Sequence, residues 1–255
     1  MKKEIIKHLG LWLLMICLVI GGNCFGQQID PKFGVKTTSI NDNGFSKPVK
    51  NINDKAFSIG LNNSTIVIKH HDYTIYFNNS IKAPDSTSYE LTPDQVKCVK
   101  TKRIDKFAAD PLLPNSPKPS DFKNTTKIDS LQIDKGHTFS YDSSQCSPID
   151  RVECFYVSGM YAQYHGFNNG DWKEFEAEER RLAAIGTIHV INGYIGTQGH
   201  LNAGEIIPTY MYKAIYHSGI WDVYIAPNRP WVNGHNISMW KRTIAELDSK
   251  TGLKL

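Results

Sequence analysis

Alternating apolar and polar positions predict most of the regular structure of this chain, beginning near residue 64. Short runs rich in β-branched and aromatic residues, bounded by polar turn-forming residues, are typical of strands. The strands predicted in this way are residues 64–69, 73–77, 153–158, 186–194, 206–216 and 220–226. Several of the links between these runs are as short as hairpin turns, and the pattern therefore favours a mixed, mainly antiparallel sheet.

Helical patterning is clearest from Asp171 to about Ala184. Acidic residues come early in this segment, two arginines come late, and apolar residues recur on one side. A helical or turn-like pattern occurs at residues 91–105, and a closing helix is predicted at residues 238–249. Four prolines within residues 111–126 predict a loop. Strands and helices mixed in this order indicate an α+β fold rather than a series of βαβ units.

The first 26 residues have the pattern of a secretory signal peptide. Three lysines precede an apolar run from residue 9 to about 22, and a small-x-small cleavage site ends at Gly26. The run is short for a membrane span. We therefore predict cleavage near Gly26 and a secreted or periplasmic protein that does not stay on the membrane. An uncleaved anchor and lipid attachment at Cys24 are the alternatives.

The rest of the chain divides into a polar leader and one domain. Residues 27–62 are rich in Asn, Asp, Lys, Ser and Gly without a sustained period, which predicts a flexible leader. Residues 63–255 have the length of a single domain. The net charge of +4 falls to about +2 without the signal peptide. This value does not by itself indicate a nucleic-acid-binding protein, so any phosphate-binding surface must be local.

Three cysteines follow the signal peptide, and export implies an oxidising compartment in which they can pair. Cys146 and Cys154 enclose the shortest loop, and we predict a disulfide between them; three buried thiols that include Cys98 are the alternative. The spacing does not suggest a structural zinc site. The adjacent histidines His70 and His71 are predicted to lie in a turn and to point apart.

The tetrapeptide D-K-G-H at residues 134–137 and three later residues supply the chemistry that phosphodiester cleavage requires. His137 can act as a base because an imidazole titrates near neutral pH. Asn168 offers an amide oxygen, which hydrated magnesium accepts as a ligand. Glu176 and Arg180 are four residues apart on the predicted helix and so share a face, where they can orient water and bind a phosphate. An ordinary surface ion pair is the alternative for these two residues.

Several separated segments together resemble the DNA/RNA non-specific endonuclease family, whose members are secreted nucleases with a ββα-metal active site. The segments occur in the family's order and cover roughly residues 64–255. They are D-K-G-H at 134–137, E-C-F-Y-V-S-G-M-Y-A-Q at 153–163, F-N-N-G-D-W-K-E-F-E-A-E-E-R at 167–180, I-I-P-T-Y-M-Y-K at 206–213 and T-G-L at 251–253. Upstream, Arg103 with Phe107 and Asp110 resembles the segment that supplies a further active-site arginine.

The resemblance implies a role for each matching residue. His137 is the general base, Asn168 is the one direct protein ligand of Mg²⁺ or its substitute Mn²⁺, and Glu176 holds this metal through water. The catalytic cations are Arg103, Arg180 and Lys135. The residues that support the motif structurally are Asp134, Gly136 and Gln163. The implied substrates are DNA and RNA, which are bound through the backbone without reading of sequence and leave 5′-phosphate products.

Two departures from the family pattern bear on activity. Lys135 replaces the usual arginine, and its ammonium group cannot make the two parallel hydrogen bonds that a guanidinium makes to a phosphate. Gly159 and Ala162 replace an Asn-x-x-Pro pattern, which removes a polar group that the family has near the active site. We expect slower turnover or a changed substrate preference. The alternatives are a catalytically weakened member that binds nucleic acid or a protein partner, and a phosphodiesterase for a non-polymer substrate. The DNA or RNA preference, a homodimer, an inhibitor protein and the biological role are open.

Overall fold

A computed structural model describes residues 64–99, 102–103, 105–122, 131–231 and 236–255, together with the backbone at 49–50 and 56–57. The predicted signal peptide and all but four residues of the predicted leader lie outside the described residues, so both stay predictions. Within the described part of the chain, no helix is long and apolar enough to cross a bilayer.

The strands of the described residues are short at both ends of the chain and long in the middle. They are β1 (Val49–Lys50), β2 (Ala56–Phe57), β3 (Thr65–Lys69), β4 (Tyr73–Asn78), β5 (Ala83–Leu91), β6 (Ile133–His137), β7 (Met160–Tyr164), β8 (Ile188–His200), β9 (Ile206–His217), β10 (Ile220–Pro227) and β11 (Lys241–Arg242). The helices are α1 (Pro93–Lys97), α2 (Tyr141–Ser144), α3 (Asp150–Glu153), α4 (His165–Phe167), α5 (Lys173–Ala183) and α6 (Ile244–Thr251).

Seven strands form one antiparallel sheet in the order β11-β10-β9-β8-β5-β4-β3. Its two faces are both covered, as the alternation along β10 shows. Tyr224 and Ala226 belong to the core beneath α5, whereas Val223 and Ile225 pack on the opposite face with Leu247 of α6. Antiparallel strands buried on both faces, with helices to either side, confirm the predicted α+β class.

A ββα unit lies against one face of this sheet. β6 pairs with β7 in antiparallel register, which places His137 opposite Met160 and Asp134 opposite Gln163. The chain then passes through α4 and a π-helical turn at Asn168–Trp172 into α5. Trp172 is fully buried and donates from Nε1 to the carbonyl oxygen of His137 at 3.0 Å. This bond ties the start of α5 to the end of β6.

A buried ion pair fixes α5 on the sheet. Lys213 of β9 donates to Oε1 of Glu179, and the Tyr89 hydroxyl donates to the same oxygen at 2.9 Å. The Lys213 ammonium also lies 4.4 Å from the centre of the Trp172 ring. Because the charged ends of both residues are buried, the pair holds only in this geometry. It therefore fixes which side of α5 faces the sheet.

The predicted strand at 153–158 is wrong. This segment ends α3 and continues as a 3₁₀ turn at Val157–Gly159, with a single parallel bridge between Tyr156 and Ala108. Its backbone amides are used locally, since Phe155 donates to Val152 and Tyr156 to Glu153. The apolar residues that suggested a strand are instead buried core residues, and the strand itself begins later, at β7.

Three further elements differ from the sequence prediction. The strand β5 was not predicted, because Pro84 and a run of polar residues hide its pattern. Of the described residues in the helical segment predicted at 91–105, only those of α1 are helical. The helix predicted at 238–249 consists of a 3₁₀ turn at Ile237–Trp240, the strand β11 and then α6. Thr243 and Glu246 form a capping box that starts α6 at Ile244.

The disulfide predicted between Cys146 and Cys154 is also wrong. Cys146 pairs with Cys98, with 5.6 Å between their Cα atoms, and Cys154 is a free buried thiol. Cys154 packs in the main core, where its sulfur accepts from the Ser144 hydroxyl at 3.4 Å. Burial raises the pKa of this thiol to about 12. Loop length alone favoured the wrong pair. It does not show that the Cys154 side chain is buried in the core.

Candidate active site

His137, at the end of β6, is enclosed by two aromatic rings. Its ring centre lies 5.5 Å from that of Phe155, in edge-to-face contact, and 5.8 Å from that of Phe107. The residue is only 8% exposed, and among the described residues its Nε2 atom finds no hydrogen-bond partner. A buried polar nitrogen without a partner costs free energy. Such an atom is a good candidate for contact with a substrate or a water molecule.

The surroundings of His137 hold its imidazole in the neutral form. Burial lowers its pKa to about 3, the positive charges of Arg103 and Lys135 contribute, and Asp105 opposes them. A neutral imidazole has a free lone pair on one nitrogen and can accept a proton. The site therefore provides the protonation state that a general base requires.

The Asp134 carboxylate contacts several polar side chains at the other end of the β6–β7 ladder. Its Oδ2 accepts from Asn168 Nδ2 at 3.0 Å and from Asn169 Nδ2 at 3.2 Å, and it lies 2.9 Å from His165 Nδ1. Because a carboxylate only accepts, the amide nitrogen of Asn168 must face it. The Oδ1 atom of Asn168 therefore points away from Asp134, and the donor set fits a hard, hydrated cation at that oxygen.

Local backbone geometry places Asn168 at the entrance of α5. Gly170 adopts non-helical angles (φ −105°, ψ −107°) within the π-helical turn, so the chain bends between α4 and α5. Close packing of the ladder also depends on glycine. A Cβ atom on Gly136 would lie 2.0 Å from Oε1 of Gln163, whose side chain is fully buried across the ladder. These two residues thus set the spacing between β6 and β7 where the candidate residues are held.

Glu176 and Arg180 occupy one side of α5, as the sequence predicts. Burial raises the pKa of Glu176 to about 7, Lys213 and Arg180 oppose this shift, and Glu179 adds to it. The Arg180 guanidinium reaches across to the loop after β6. It donates to Ser140 Oγ at 3.4 Å and lies 3.7 Å from Asp142 Oδ2. These contacts tie Arg180 to the segment that follows His137, which an ordinary surface ion pair with Glu176 would not do.

Arg103 and Lys135 lie over the aromatic residues around His137. The Arg103 guanidinium is 5.3 Å from the ring centre of Tyr141 and 5.4 Å from that of Phe155, and its Nε lies 2.5 Å from Asp105 Oδ1. The Lys135 ammonium is 4.6 Å from the ring centre of Phe107. Both cations act on the pKa of His137, so the structure brings them to the same place as the base.

The sequence prediction omitted the aromatic enclosure and two polar neighbours. In the sequence, Phe107 and Phe155 belong only to segments that resemble the family, and Phe155 also to the wrongly predicted strand. His165 and Asn169, which share the Asp134 carboxylate with Asn168, were not predicted at all. Their positions one and five residues after Tyr164, the end of β7, are the only sequence signal that could have pointed to them.

Comparison with known proteins identifies the family. A profile described as DNA/RNA non-specific endonuclease matches residues 52–255. The chain belongs to this family. It is 25% identical over 208 residues to a nuclease from Serratia marcescens, a match that covers 74% of each chain. Its fold also resembles a chain in the crystal structure of the EndoG/EndoGI complex, which concerns the mechanism of EndoG inhibition. That similarity has a TM-score of 0.63 at 21% identity and covers 74% of this chain and 84% of the other.

Membership of the DNA/RNA non-specific endonuclease family makes this chain a metal-dependent endonuclease whose substrate is nucleic acid. The ββα unit is the part of the fold that the family resemblance pointed to. Gly159, where the family pattern has asparagine, lies beneath this unit. A Cβ atom there would lie 3.4 Å from both Ile75 and Thr138 Oγ1. A larger side chain at this position would therefore begin on the buried side of the chain, next to the segment that follows His137.

A second group of potential metal ligands lies apart from the predicted site residues. Of the described residues, His71, Asp72 and Asp150 have ligand atoms that all lie within 4.8 Å of one another. His71 Nδ1 lies 3.2 Å from Asp150, whereas the adjacent His70 is buried and contacts Asp110 at 3.0 Å. The two histidines thus point apart, as predicted. None of the three belongs to the set around His137 and Asn168.

Proposed function

We propose that this chain is a secreted, Mg²⁺-dependent endonuclease that hydrolyses DNA and RNA without reading sequence and leaves 5′-phosphate ends. One observation supports it above the others. The short β6–β7 ladder carries both a buried, neutral imidazole with a free Nε2 and the Asp134 carboxylate that orients the amide of Asn168. A base and an oxygen ligand for a hard cation are the two parts that this reaction needs.

The residues of the chain take the following roles in this proposal. His137 removes the proton from the attacking water, and the aromatic rings around it exclude competing solvent. Asn168 Oδ1 would hold the metal directly, and Glu176 would hold it through water. When bound, the Mg²⁺ would supply positive charge at the phosphate and assist departure of the 3′ oxygen.

The cations position the phosphate and stabilise the charge that develops on it. Arg180 is anchored by Ser140 and Asp142 beside the segment that follows His137. Arg103 and Lys135 lie close enough to His137 to lower its pKa. Two cations beside His137 and a third beside the segment that follows it suit a substrate that carries one negative charge per nucleotide. The identity of the metal, with Mn²⁺ as a possible substitute, is part of the proposal.

The test is cleavage of plasmid DNA and of RNA by the purified protein with Mg²⁺ or with EDTA. We expect cleavage of both polymers only with the metal. We also expect His137→Ala and Asn168→Ala to reduce the rate by at least about a hundredfold, the size of a lost general base. Cleavage that persists in EDTA, or that His137→Ala leaves intact, would exclude this mechanism. Measurement of the terminal groups by ligation and kinase labelling tests the 5′-phosphate.

The alternatives make different predictions in the same assay. A weakened family member would bind both polymers but cleave neither with any divalent metal. A phosphodiesterase for small substrates would cleave a nitrophenyl phosphodiester but leave both polymers intact. We further propose export through a cleaved signal peptide ending near Gly26, which N-terminal sequencing of the mature protein tests.

A further inference from the structure

Residues 228–231, which follow β10, are tied to the end of β7 by the side chain of Asn228. Asn228 is fully buried and accepts from the backbone N–H of Tyr164 at 2.9 Å. Its amide nitrogen donates at 3.0 Å to the carbonyl oxygens of both Ala162 and Pro208. One side chain therefore ties this loop to β7 and to β9, and the residues that follow Asn228 begin from a fixed point.

The same loop packs directly on the helix that leads to Asn168. A Cβ atom on Gly166 would lie 2.2 Å from the carbonyl oxygen of Pro230 and 3.1 Å from the backbone of Trp231. Only glycine permits this close approach. Gly166 is two residues before Asn168 and follows His165, which shares the Asp134 carboxylate with Asn168. The loop after β10 is thus a neighbour of the candidate metal ligand.

Two exposed side chains project from residues 228–231. Trp231 is 55% exposed, and the Arg229 guanidinium lies 5.6 Å from the centre of its ring. An aromatic side chain of this size usually buries most of its surface when it has only a structural role. An exposed tryptophan paired with an arginine combines a flat apolar face with a cation, which is the chemistry that binds single-stranded nucleic acid.

We propose that Arg229 and Trp231 form a nucleotide-binding platform next to Asn168, on which Trp231 stacks an unpaired base and Arg229 contacts a phosphate. This inference rests on the proposed function, since the occupant is the nucleic acid that the site would cleave. Base stacking is indifferent to sequence because every base has an aromatic face. The platform would therefore add affinity for the substrate while keeping the enzyme non-specific.

Binding of fluorescein-labelled oligothymidine in EDTA, followed by fluorescence anisotropy, tests the platform without any cleavage. We expect Trp231→Ala to weaken binding about tenfold, the loss that corresponds to one stacked base, and Trp231→Phe to retain most of the affinity. Ile220→Ala is the matched control, because Ile220 is 56% exposed at the opposite end of β10 and should bind like the wild type. Wild-type affinity in Trp231→Ala would overturn the proposal and leave the exposed pair to a different partner.

The dependence of affinity on salt separates the two residues. Arg229→Gln should reduce the slope of log K against log salt by about 0.7, the value for one phosphate contact on a single strand. Trp231→Ala should lower affinity at every salt concentration without changing the slope. Equal slopes for Arg229→Gln and the wild type would exclude the phosphate contact. A merely structural role for either residue would not produce this pattern.

Cleavage assays with Mg²⁺ distinguish failure of the platform from failure of the proposed function. If the wild type cleaves and Trp231→Ala binds and cleaves with unchanged KM, only the platform is wrong. If the wild type binds oligothymidine in a Trp231-dependent way but cleaves nothing, the platform stands and the proposed hydrolysis fails. Where both hold, Trp231→Ala should raise KM for single-stranded DNA about tenfold, in line with the binding loss.

Discussion

His70 should make the protein less stable as the pH rises from about 6.5 to 9. The imidazole is buried, lies 3.0 Å from Asp110 Oδ2 and is 3.6 Å from Glu153 Oε1. Burial lowers its pKa, but the hydrogen bond with Asp110 and the contact with Glu153 outweigh that effect and raise the pKa from 6.5 to about 9. The protonated form is therefore favoured by folding.

The magnitude follows from the size of this pKa change. One pKa unit corresponds to about 1.36 kcal/mol, so protonated His70 contributes roughly 3 kcal/mol to the free energy of unfolding. The side chain is fully buried, so solvent does not screen the pair. Because the folded pKa exceeds the unfolded one, this contribution is fully present below about pH 6.5. It disappears as the pH rises through about 9.

Urea unfolding at pH 6 and at pH 9.5 measures the effect. Between these two values the wild type should lose roughly 3 kcal/mol more than His70→Gln, which cannot change its charge at this position. The comparison removes the contribution of Glu176, whose pKa of about 7 makes it titrate in both proteins. The two aromatic neighbours do not interfere, because burial raises the pKa of both Tyr73 and Tyr156 above the usual value of a tyrosine. Parallel losses in the wild type and in His70→Gln would refute the raised pKa.

Three further predictions concern the core, the disulfide and the active site. Lys213→Met should cost about 3–5 kcal/mol in urea unfolding because it leaves Glu179 charged and buried, and the double variant Glu179→Met/Lys213→Met should recover most of this loss. Reduction of the disulfide between Cys98 and Cys146, 48 residues apart, should lower the free energy of unfolding by up to about 4 kcal/mol, measured with and without reductant. Lys135→Arg should raise the rate of DNA cleavage and Lys135→Met should lower it, because a guanidinium binds phosphate through two hydrogen bonds; equal rates in all three proteins would remove this residue from the mechanism.

Periodicity was sufficient to predict the elements whose apolar residues recur on one face, at every second residue in a strand and every three to four residues in a helix. The strands β9 and β10 and the helix α5 have this pattern, and the structure places them within a few residues of the prediction. It was insufficient for β5, which lies inside the sheet between β4 and β8 and buries Ser86 and Thr87. Polar residues at such positions are buried because of their neighbours, which a local pattern does not contain.

The candidate site also has features that the sequence could predict and features that depend on contacts between separate elements. The spacing of Glu176 and Arg180 is a property of one helix, so the sequence alone placed both on one side of α5. The orientation of Asn168 depends instead on Asp134, which lies on another strand and reaches it only because β6 pairs with β7. The aromatic enclosure of His137 likewise comes from two separate loops. Contacts of this kind follow from the tertiary fold. The sequence pattern can name the residues that take part in them, but it cannot show that these residues are in contact.

The aromatic enclosure also affects the pKa of His137 and therefore its proposed role as a base. With a pKa of about 3 it is always neutral near pH 7 but binds a proton weakly. Burial is fixed by the fold, whereas the effects of Arg103 and Lys135 depend on what lies beside these cations. A phosphodiester bound between them brings a negative charge that offsets both, because Coulomb interactions are strong where water is excluded. In the proposed mechanism, a bound phosphodiester would therefore offset the part of the pKa lowering that comes from the two cations, whereas the larger part, which comes from burial, would remain.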